Sequence, residues 1–187
     1  MLKRQFDLSL AIILVLILLP FFLIVFLLIK ITSTGPAIYW SKRIGKNNKE
    51  FYMPKFRTMR IETPQIATHL LASPDQYLIP LGKFLRKSSL DEIPQLYSVL
   101  MGTMSFVGPR PALFNQDDLV KLRTEKGIHK LVPGITGWAQ INGRDDLPIP
   151  KKVDYDYYYL QNNTLLMDFK ILFLTATKVI RAEGVSH

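Results

Sequence analysis

A run of apolar residues near the N-terminus limits what this chain can fold into more than any other feature. No charged residue occurs from Leu8 to Ile29, and nearly every residue from Leu10 onward in this run is apolar. About 20 such residues span the hydrocarbon core of a bilayer, and a small domain could hardly cover a helix that is hydrophobic all round. A cleaved signal peptide would have a shorter apolar core and a small-residue cleavage site. We therefore expect residues 1–30 to insert in a membrane.

The residues around and within this run favour a helix that returns to the side from which it enters. Lys3 and Arg4 precede the run, and a strong excess of cations follows Lys30, so both flanks prefer the cytoplasmic side. Pro20 lies near the middle, where it removes a helix hydrogen bond and permits a bend. We predict a re-entrant helix-break-helix over residues 1–30 with the break at Pro20. A single span kinked at Pro20 is the alternative.

The remaining residues, 31–187, have the mixed composition of a globular domain. The chain has a formal net charge of +9 and a pI of about 9.7, which indicates anionic partners. It has no cysteine and only three scattered histidines, which excludes thiolate metal sites. Any bound metal should therefore be one that prefers oxygen ligands, such as Mg²⁺.

Local patterns predict several elements of this domain. Residues 37–40 indicate a short strand or an interfacial segment, and residues 46–49 indicate the polar tip of a hairpin. The mixed charge from Asn115 to His129 is typical of a helix with a solvated face. Leu165 to Ile180 predicts an apolar helix that either lies on a membrane surface or caps the core.

Two adjacent carboxylates, Asp91 and Glu92, stand among cations in the stretch from Arg86 to Leu96. Ser89 and Glu92 have the spacing of a helix capping box, in which the acid would serve only the start of the helix. Pro94 argues against Ser89 as the cap, because it would then fall at the fifth helical position. A later cap would place Asp91 at a helix start, which attracts phosphate. A structural and a catalytic interpretation of the pair both stay open at this point.

Several cations stand in patterns suited to phosphate. Lys55 and Arg57 alternate with apolar residues, so a strand would place both on one face. Two prolines flank Arg110 and stiffen its backbone, which suits a guanidinium that meets phosphate oxygens in fixed geometry. Residues 132–144 indicate a turn, a short strand and an Asn-Gly turn that delivers Arg144, although that stretch could be no more than a hairpin. The alternative for Lys55 and Arg57 is a solvated edge strand, and the alternative for Arg110 is an ordinary arginine in a turn.

Four motifs occur in order along nearly the whole chain. They are Lys55-Phe56-Arg57-Thr58-Met59, Ser89-Leu90-Asp91-Glu92-Ile93-Pro94-Gln95-Leu96, Met104-Ser105-Phe106-Val107-Gly108-Pro109-Arg110-Pro111 and Pro133-Gly134-Ile135-Thr136-Gly137-Trp138-Ala139-Gln140-Ile141-Asn142-Gly143-Arg144. Together they closely resemble the bacterial sugar transferase family, the monotopic polyprenyl-phosphate phosphoglycosyl transferases. The length is similar to that of the minimal, single-domain members.

The resemblance implies an enzyme that moves a sugar 1-phosphate from a UDP-sugar to undecaprenyl phosphate and releases UMP, through a covalent aspartyl-phosphosugar intermediate. It implies Mg²⁺ as cofactor, held at Asp91 and Glu92, with Asp91 as the nucleophile. Glu92 would position the metal or assist proton transfer. Candidate substrate-binding and phosphate-binding residues are Lys55, Arg57, Arg86, Arg110, Arg144 and Asp156, the last at an acidic position of the family whose role stays open.

The fold implied is α+β, with the re-entrant membrane helix-break-helix followed by a small, mainly helical, membrane-associated catalytic domain with short strands and interfacial helices. The active site would face the cytoplasm at the bacterial inner membrane, where such enzymes catalyse the first membrane step of glycan assembly. The resemblance implies membrane lipid as a partner and does not imply nucleic acid. It is also compatible with downstream glycosyltransferases as partners.

This sequence departs from the family pattern at two places. Leu19-Pro20 stands where many small members have Ser-Pro, so a serine that would reinforce the helix break is missing. Met101-Gly102-Thr103 replaces the usual Lys-Gly-Asp, which removes one cation and one acid near the site. The first departure bears on the re-entrant topology, and the second on the surroundings of the metal or the sugar.

A membrane-tethered basic protein that binds acidic lipid or nucleic acid is the competing hypothesis, because the net charge alone fits it equally well. It does not explain Asp91 and Glu92, since acids among the cations would weaken such binding. Release of UMP from UDP-sugars discriminates between the two. The sequence does not identify the sugar, the glycan pathway or the oligomeric state.

Overall fold

The computed structural model describes residues 2–64, 73–143 and 147–180. Seven α-helices and five strands are assigned within these ranges. The helices are α1 (Leu2–Thr32), α2 (Gly82–Lys87), α3 (Leu96–Met101), α4 (Asp117–Glu125), α5 (Trp138–Ile141), α6 (Ile149–Asn162) and α7 (Leu165–Ile180). The strands are β1 (Ile38–Ile44), β2 (Glu50–Phe56), β3 (Ser105–Val107), β4 (Ala112–Leu113) and β5 (Gly134–Thr136). The predicted mixture of helices and strands is confirmed.

Helix α1 contains the apolar run. It is one helix of 31 residues that continues through Pro20, so the predicted helix-break-helix is not confirmed. Within the described ranges, α1 is the one helix that is long and apolar enough to cross a bilayer, and most of its apolar side chains are exposed. These exposed side chains lack the cover that a core helix of a soluble protein would have.

The two ends of α1 both contact the globular part of the chain. Near the N-terminus, the Lys3 ammonium pairs with Asp168 of α7, and the Asp7 carboxylate accepts a hydrogen bond from the Phe106 amide at 3.2 Å. Nearer the C-terminus, Val25 and Ile29 belong to a buried cluster with residues of β2 and α2. The globular part therefore holds α1 at both ends.

The larger sheet has the strand order β2-β1-β4, and both pairings are antiparallel. A short 3₁₀ helix, Lys46–Asn48, connects β1 to β2, which confirms the predicted hairpin with a polar tip. Strand β1 places Tyr39 opposite Lys55 and Arg43 opposite Leu113. This sheet forms one side of the cavity described below.

The smaller sheet contains the short strand expected within residues 132–144 and rules out the alternative interpretation of this stretch as a hairpin. Strand β5 pairs in parallel with β3, about 30 residues earlier, with Ser105 opposite Gly134 and Val107 opposite Thr136. Gly108 and Gly134 pack backbone against backbone, and a Cβ on either would collide with the other. The close approach of the two segments therefore requires glycine at both positions.

The main core lies between the first half of α1, α3, β3 and α7. Ala11, Val99, Met104, Val107 and Ile171 are each no more than 1% exposed and belong to one cluster. The predicted apolar helix over Leu165–Ile180 is confirmed as α7. One face of α7 caps this core, and its other face is exposed.

Candidate active site

The Asp91-Glu92 pair lies in a 3₁₀ helix, Leu90–Gln95, between α2 and α3. Ser89 adopts a left-handed conformation with a φ of 56°, and its side chain makes no capping hydrogen bond. The capping-box interpretation is therefore wrong, because the Ser89 backbone is not in the extended conformation that a capping serine adopts. The Glu92 side chain instead turns toward cations from other parts of the chain.

Glu92 is bound by two cations. Its Oε1 accepts hydrogen bonds from Lys55 Nζ at 2.7 Å and from a terminal nitrogen of Arg110 at 3.1 Å. Burial by itself raises the pKa of Glu92, but the charges and hydrogen bonds of Lys55 and Arg110 more than offset burial and hold that pKa well below its usual range. Glu92 is therefore an ionised group that holds two cations beside Asp91.

Asp91 is only 9% exposed and faces a cavity. Burial, assisted by the charge of the neighbouring Glu92, raises the pKa of Asp91 to about 6 against the opposing charges of Lys55, Arg86 and Arg110. At neutral pH the Asp91 carboxylate is mostly ionised but poorly hydrated. This combination increases the reactivity of a carboxylate toward an electrophile that enters the cavity.

The cavity has a volume of about 460 Å³ and lies beside the larger sheet. This volume is in the range of small-molecule sites, roughly 300–1,000 Å³. Basic side chains line part of it, namely Lys42, Arg43, Lys55, Arg57, Arg60 and Arg86. Apolar and aromatic side chains line the rest, and they include Ile38, Trp40, Met59, Ile61 and Phe114. Such a cavity suits an anionic ligand that also has an apolar or aromatic part.

The structure brings together most of the predicted site residues. Asp91 and Arg86 line the cavity, and Lys55 and Arg110 reach Glu92 from β2 and from the segment after β3. Arg144 lies outside the described residues. Residues separated by many positions in the chain therefore meet at one carboxylate pair.

Arg57 lines the cavity with Lys55, as the strand pattern predicts, but its guanidinium is engaged elsewhere. Arg57 is 6% exposed and donates to the backbone oxygens of Pro36, at 2.6 Å, and Ser33, at 3.3 Å. These oxygens belong to the segment that joins α1 to β1. Arg57 therefore fixes the connection between the apolar helix and the sheet.

Asp156 lies away from the cavity and acts on Arg110 through another arginine. Its Oδ2 accepts hydrogen bonds from Arg123 Nε at 3.0 Å and from a terminal nitrogen of Arg123 at 2.6 Å. Arg123 also donates to the backbone oxygen of Arg110 at 2.8 Å. Arg123 and Asp156 are 7% and 1% exposed. The pair therefore holds the backbone of Arg110, whose side chain binds Glu92.

The sequence interpretation missed Arg123, because it assigned α4 to a solvated face. Helix α4 in fact buries Leu119 and Arg123, which are four residues apart and lie on one side of the helix. The spacing was the available signal, because Arg123 follows Leu119 by four residues and a helix therefore places both on one face.

The acids at the cavity fit a metal that arrives with a diphosphate. Within the described part of the chain, no group of three or more His, Cys, Asp or Glu side chains is placed to hold a metal ion. Mg²⁺ is commonly bound by one or two carboxylates, with substrate phosphates and waters completing its ligands. Asp91 and Glu92 supply that number of carboxylates.

Comparison with known sequences identifies close relatives. A sequence model described as bacterial sugar transferase matches residues 1–182. An uncharacterized sugar transferase of Bacillus subtilis, EpsL, is 41% identical over 189 residues, which cover 100% of this chain and 91% of that protein.

Two longer relatives have names that state an activity. The undecaprenyl-phosphate galactose phosphotransferase of Salmonella typhimurium is 38% identical over 98% of this chain and 41% of its own length. The UDP-glucose:undecaprenyl-phosphate glucose-1-phosphate transferase of Escherichia coli is 38% identical over 95% of this chain and 40% of its own length. The chain thus spans about two fifths of these two relatives and most of the Bacillus protein.

Proposed function

The chain belongs to the bacterial sugar transferase family, and we propose that it transfers a sugar 1-phosphate from a UDP-sugar to undecaprenyl phosphate, with release of UMP. The family resemblance inferred from the four sequence motifs is confirmed. The observation that carries the proposal is the buried Asp91 beside a cation-bound Glu92 at a basic, partly apolar cavity. The relatives that act on undecaprenyl phosphate support the choice of acceptor.

In the first step of the proposed reaction, the ionised Asp91 carboxylate attacks the phosphorus that carries the sugar. The bond from that phosphorus to the oxygen bridging the diphosphate breaks, and UMP leaves with both electrons of that bond. An aspartyl phosphosugar remains on Asp91. Because both reactants are anions, the cations at Glu92 and in the cavity reduce the repulsion between them.

In the second step, an oxygen of undecaprenyl phosphate attacks the same phosphorus. The bond from Asp91 to phosphorus breaks, which restores the carboxylate and releases the sugar on a lipid diphosphate. Splitting the transfer in this way replaces one attack of phosphate on diphosphate by two easier displacements. Asp91 serves as nucleophile in the first step and leaving group in the second.

Lys55, Arg86 and Arg110 have distinct parts in this scheme. Lys55 and Arg110 are fixed by Glu92, so they are oriented before substrate arrives and lose little freedom on binding it. Arg86 lines the cavity together with Asp91, and in this scheme its charge offsets that of the phosphates. Mg²⁺, held by Asp91 and Glu92 together with the diphosphate, would neutralise charge on the phosphates and on the departing UMP.

We also propose that α1 enters and leaves the membrane on the cytoplasmic side. Lys3 and Asp7 at one end of α1 and Val25 and Ile29 near the other end contact the same globular part. A simple span would place one of these ends on the far side of the bilayer. The catalytic residues would then lie at the cytoplasmic face of the inner membrane.

A cysteine introduced at Leu2 tests this topology, since a membrane-impermeant thiol reagent should reach it only from the cytoplasmic side. Labelling from the opposite side would contradict it.

Release of UMP tests the proposed function. Purified protein in nanodiscs is incubated with Mg²⁺, undecaprenyl phosphate and each of a panel of UDP-sugars, and wild type is compared with Asp91→Asn. We expect wild type to release UMP with at least one sugar and the variant to release none. Equal release by both would exclude Asp91 as nucleophile, and no release from any donor would contradict the proposed reaction for this panel.

A further inference from the structure

Arg4, in the first turn of α1, binds the end of α3. Its two terminal nitrogens donate to the backbone oxygens of Val99, at 2.5 Å, and Leu100, at 2.8 Å. Gly102 ends α3 in a left-handed conformation with a φ of 79°, and a Cβ there would come within 3.3 Å of the Arg4 guanidinium. The last carbonyls of a helix lack partners within the helix, and a cation beside them also offsets the negative end of the helix dipole. Arg4 therefore fixes the C-terminal end of α3 on α1.

Helix α3 continues the 3₁₀ helix that carries Asp91. Gln95 and Leu96, where the two helices join, both have right-handed helical backbone angles, so the chain is helical throughout residues 90–101. Leu100 follows Asp91 by nine residues, which is roughly 15 Å along such a run. Leu96 packs in the main core, and a densely packed interior transmits displacements instead of absorbing them. A displacement of the end that α1 binds is therefore carried to the carboxylate pair.

Asp7, three residues after Arg4, binds the strand that leads to Arg110. Asp7 is 3% exposed, and its Oδ1 accepts a hydrogen bond from the Phe106 amide of β3 at 3.2 Å. Phe106 precedes Arg110 by four residues. Because residues three positions apart are neighbours on a helix surface, Arg4 and Asp7 lie on one face of α1. One face of the first two turns of α1 therefore binds both α3 and β3.

These two segments supply the groups that meet beside Asp91. Glu92 lies in the helical run of residues 90–101, and Arg110, which follows β3, donates to Glu92 at 3.1 Å. This hydrogen bond depends on where α3 and β3 lie relative to each other. A displacement of about 1 Å in a catalytic geometry can lower a rate about 100-fold. The start of α1 thus makes the contacts that are needed to set the geometry of the site from a distance.

We propose that Arg4 and Asp7 are positioning residues, which hold α3 and β3 so that Glu92 binds Arg110 beside Asp91. This inference rests on the proposed function, because the proposed reaction is what requires Arg110 at that place. Arg4 and Asp7 lie away from the cavity, so they act through α3 and β3 and not on the substrate. The helix that anchors the protein is thereby also part of the scaffold of the active site.

The alternative for Arg4 is that it serves only as a cation that keeps this end of α1 on the cytoplasmic side. Lysine and arginine serve that purpose equally, but only the planar guanidinium donates to two carbonyl oxygens in a fixed geometry. Arg4→Lys therefore separates the two roles.

Asp7 has no comparable alternative, since acidic residues contribute little to the orientation of membrane helices. Two substitutions isolate its hydrogen bond. Asp7→Asn removes the charge but retains an oxygen that can accept from the Phe106 amide, and Asp7→Leu removes the acceptor as well.

The test compares Arg4→Lys, Arg4→Met, Asp7→Asn and Asp7→Leu with wild type in nanodiscs. Lys30→Met is the matched control for the loss of a cation, because Lys30 is exposed at the other end of α1. Steady-state rates of UMP release give kcat and KM for each protein. Circular dichroism and thermal unfolding verify that each variant is folded.

We expect Arg4→Met and Asp7→Leu to lose about 10–100-fold in kcat and Arg4→Lys to lose about 3–10-fold, with KM changed by less than about twofold. Asp7→Asn should retain most of the wild-type kcat, and Lys30→Met should retain all of it. A purely structural role would lower the Tm and leave the kcat of the folded protein unchanged.

Folded Arg4→Lys with the kcat of wild type would overturn the role of Arg4, even if Arg4→Met does not fold. Equal losses of kcat in Asp7→Asn and Asp7→Leu would overturn the role of the hydrogen bond to Phe106, because the charge of Asp7 would then matter and its acceptor would not. Absence of UMP release from wild type would contradict the proposed function itself, and the positioning proposal with it, which distinguishes that failure from the other two.

Discussion

At the scale of single residues, Asp91 is a group whose charge opposes folding. Its carboxyl has an ordinary pKa of 3.8, which burial and Glu92 raise to about 6 in the folded chain. Between these values the folded state binds more protons than the unfolded state, so stability falls as the pH rises. Above a pH of about 6 the full destabilising effect of the buried charge is present.

Replacement of Asp91 by asparagine should therefore stabilise the protein at neutral pH. A shift of about two pKa units corresponds to at most about 3 kcal/mol in the free energy of unfolding. We expect Asp91→Asn to have a higher Tm than wild type at a pH of about 7.5, and a similar Tm at a pH near 4. Thermal unfolding in detergent at both values measures this.

Glu92→Gln is the matched control for this comparison. The pKa of Glu92 is lowered in the folded state, so its charge favours folding above its ordinary pKa. We expect Glu92→Gln to lower the Tm at neutral pH, because Lys55 and Arg110 lose their ionised partner. A lower Tm for Asp91→Asn at neutral pH would contradict the account of Asp91.

The pH dependence of the reaction gives a second prediction for Asp91. Only the ionised carboxylate attacks phosphorus. We therefore expect kcat/KM to rise with pH and to level off above a pH of about 6, where Asp91 of the free enzyme is deprotonated. Initial rates of UMP release across the weakly acidic range measure the profile. A constant kcat/KM through this range would show that ionisation of Asp91 does not limit the reaction.

Arg123 and Asp156 are predicted to position Arg110 without touching substrate. Loss of Arg123 alone would leave the buried Asp156 charge unpaired, at a cost of about 3–5 kcal/mol in stability. The informative variant is therefore Arg123→Leu with Asp156→Leu, which removes both charges and the hydrogen bond to the Arg110 backbone. We expect this folded double variant to lose about 10–100-fold in kcat with little change in KM, since misplacement of a catalytic group affects mainly the transition state.

Steady-state kinetics and Tm of the double variant measure these effects together. Arg123→Lys is the conservative comparison, because it retains the positive charge beside Asp156 but lacks the planar fork that lets the guanidinium donate to Asp156 and to the Arg110 backbone at once. It should be intermediate in kcat. A folded double variant with the kcat of wild type would show that the pair contributes only to stability.

At the scale of elements, the sequence predicted those whose patterns are long or local. The apolar runs of α1 and α7 and the polar tip between β1 and β2 were predicted because each pattern is contained within one segment. Strands β3 and β5 have three residues each and pair in parallel, so neither periodicity nor a turn between them could indicate the pairing. The 3₁₀ conformation around Asp91 could not be predicted from the local sequence, because Glu92 binds the distant Lys55 and Arg110 and does not take part in a helix capping box.

The contacts that hold the start of α1 give a prediction at this scale. Lys3 pairs with Asp168, whose side chain is only 3% exposed, and it also reaches the backbone oxygen of Val107. Lys3→Met should lower the free energy of unfolding by about 1–3 kcal/mol, because buried acceptors lose a donor. Lys30→Met at the other end is the control, since Lys30 is exposed and should change stability by less than about 0.5 kcal/mol.

Unfolding of both variants in nanodiscs measures the difference. Both variants lose one lysine charge and gain the same side chain, so they differ only in the position of the substitution. Equal effects of Lys3→Met and Lys30→Met would contradict the proposed fixation of the N-terminal end of α1 on the globular part.

At the scale of the whole molecule, the first three of the four motifs converge on one site although they are far apart in the chain. Lys55 and Arg110 reach Glu92 from 37 positions before it and 18 positions after it. The sequence could indicate these residues because their family pattern is specific. It could not separate Asp156 from the residues at the cavity, because the distance between them depends on how α4 and α6 pack.

In the molecule as a whole, the basic cavity is lined by residues of the segment that follows α1, the helix that we propose to lie in the membrane. Helix α1 supplies the apolar surface, and Arg57 joins it to the sheet that lines the cavity. A water-soluble nucleotide sugar and a lipid phosphate can both reach such a site. In the proposed reaction, the phosphate groups of the two substrates meet at Asp91.

The most direct test of the account is the intact mass of the protein after incubation with its UDP-sugar and Mg²⁺ in the absence of undecaprenyl phosphate. We expect wild type to gain the mass of one sugar phosphate, Asp91→Asn to gain none, and added undecaprenyl phosphate to remove the adduct. An adduct on Asp91→Asn, or UMP release with acceptor present but no adduct on wild type without it, would contradict Asp91 as the covalent nucleophile.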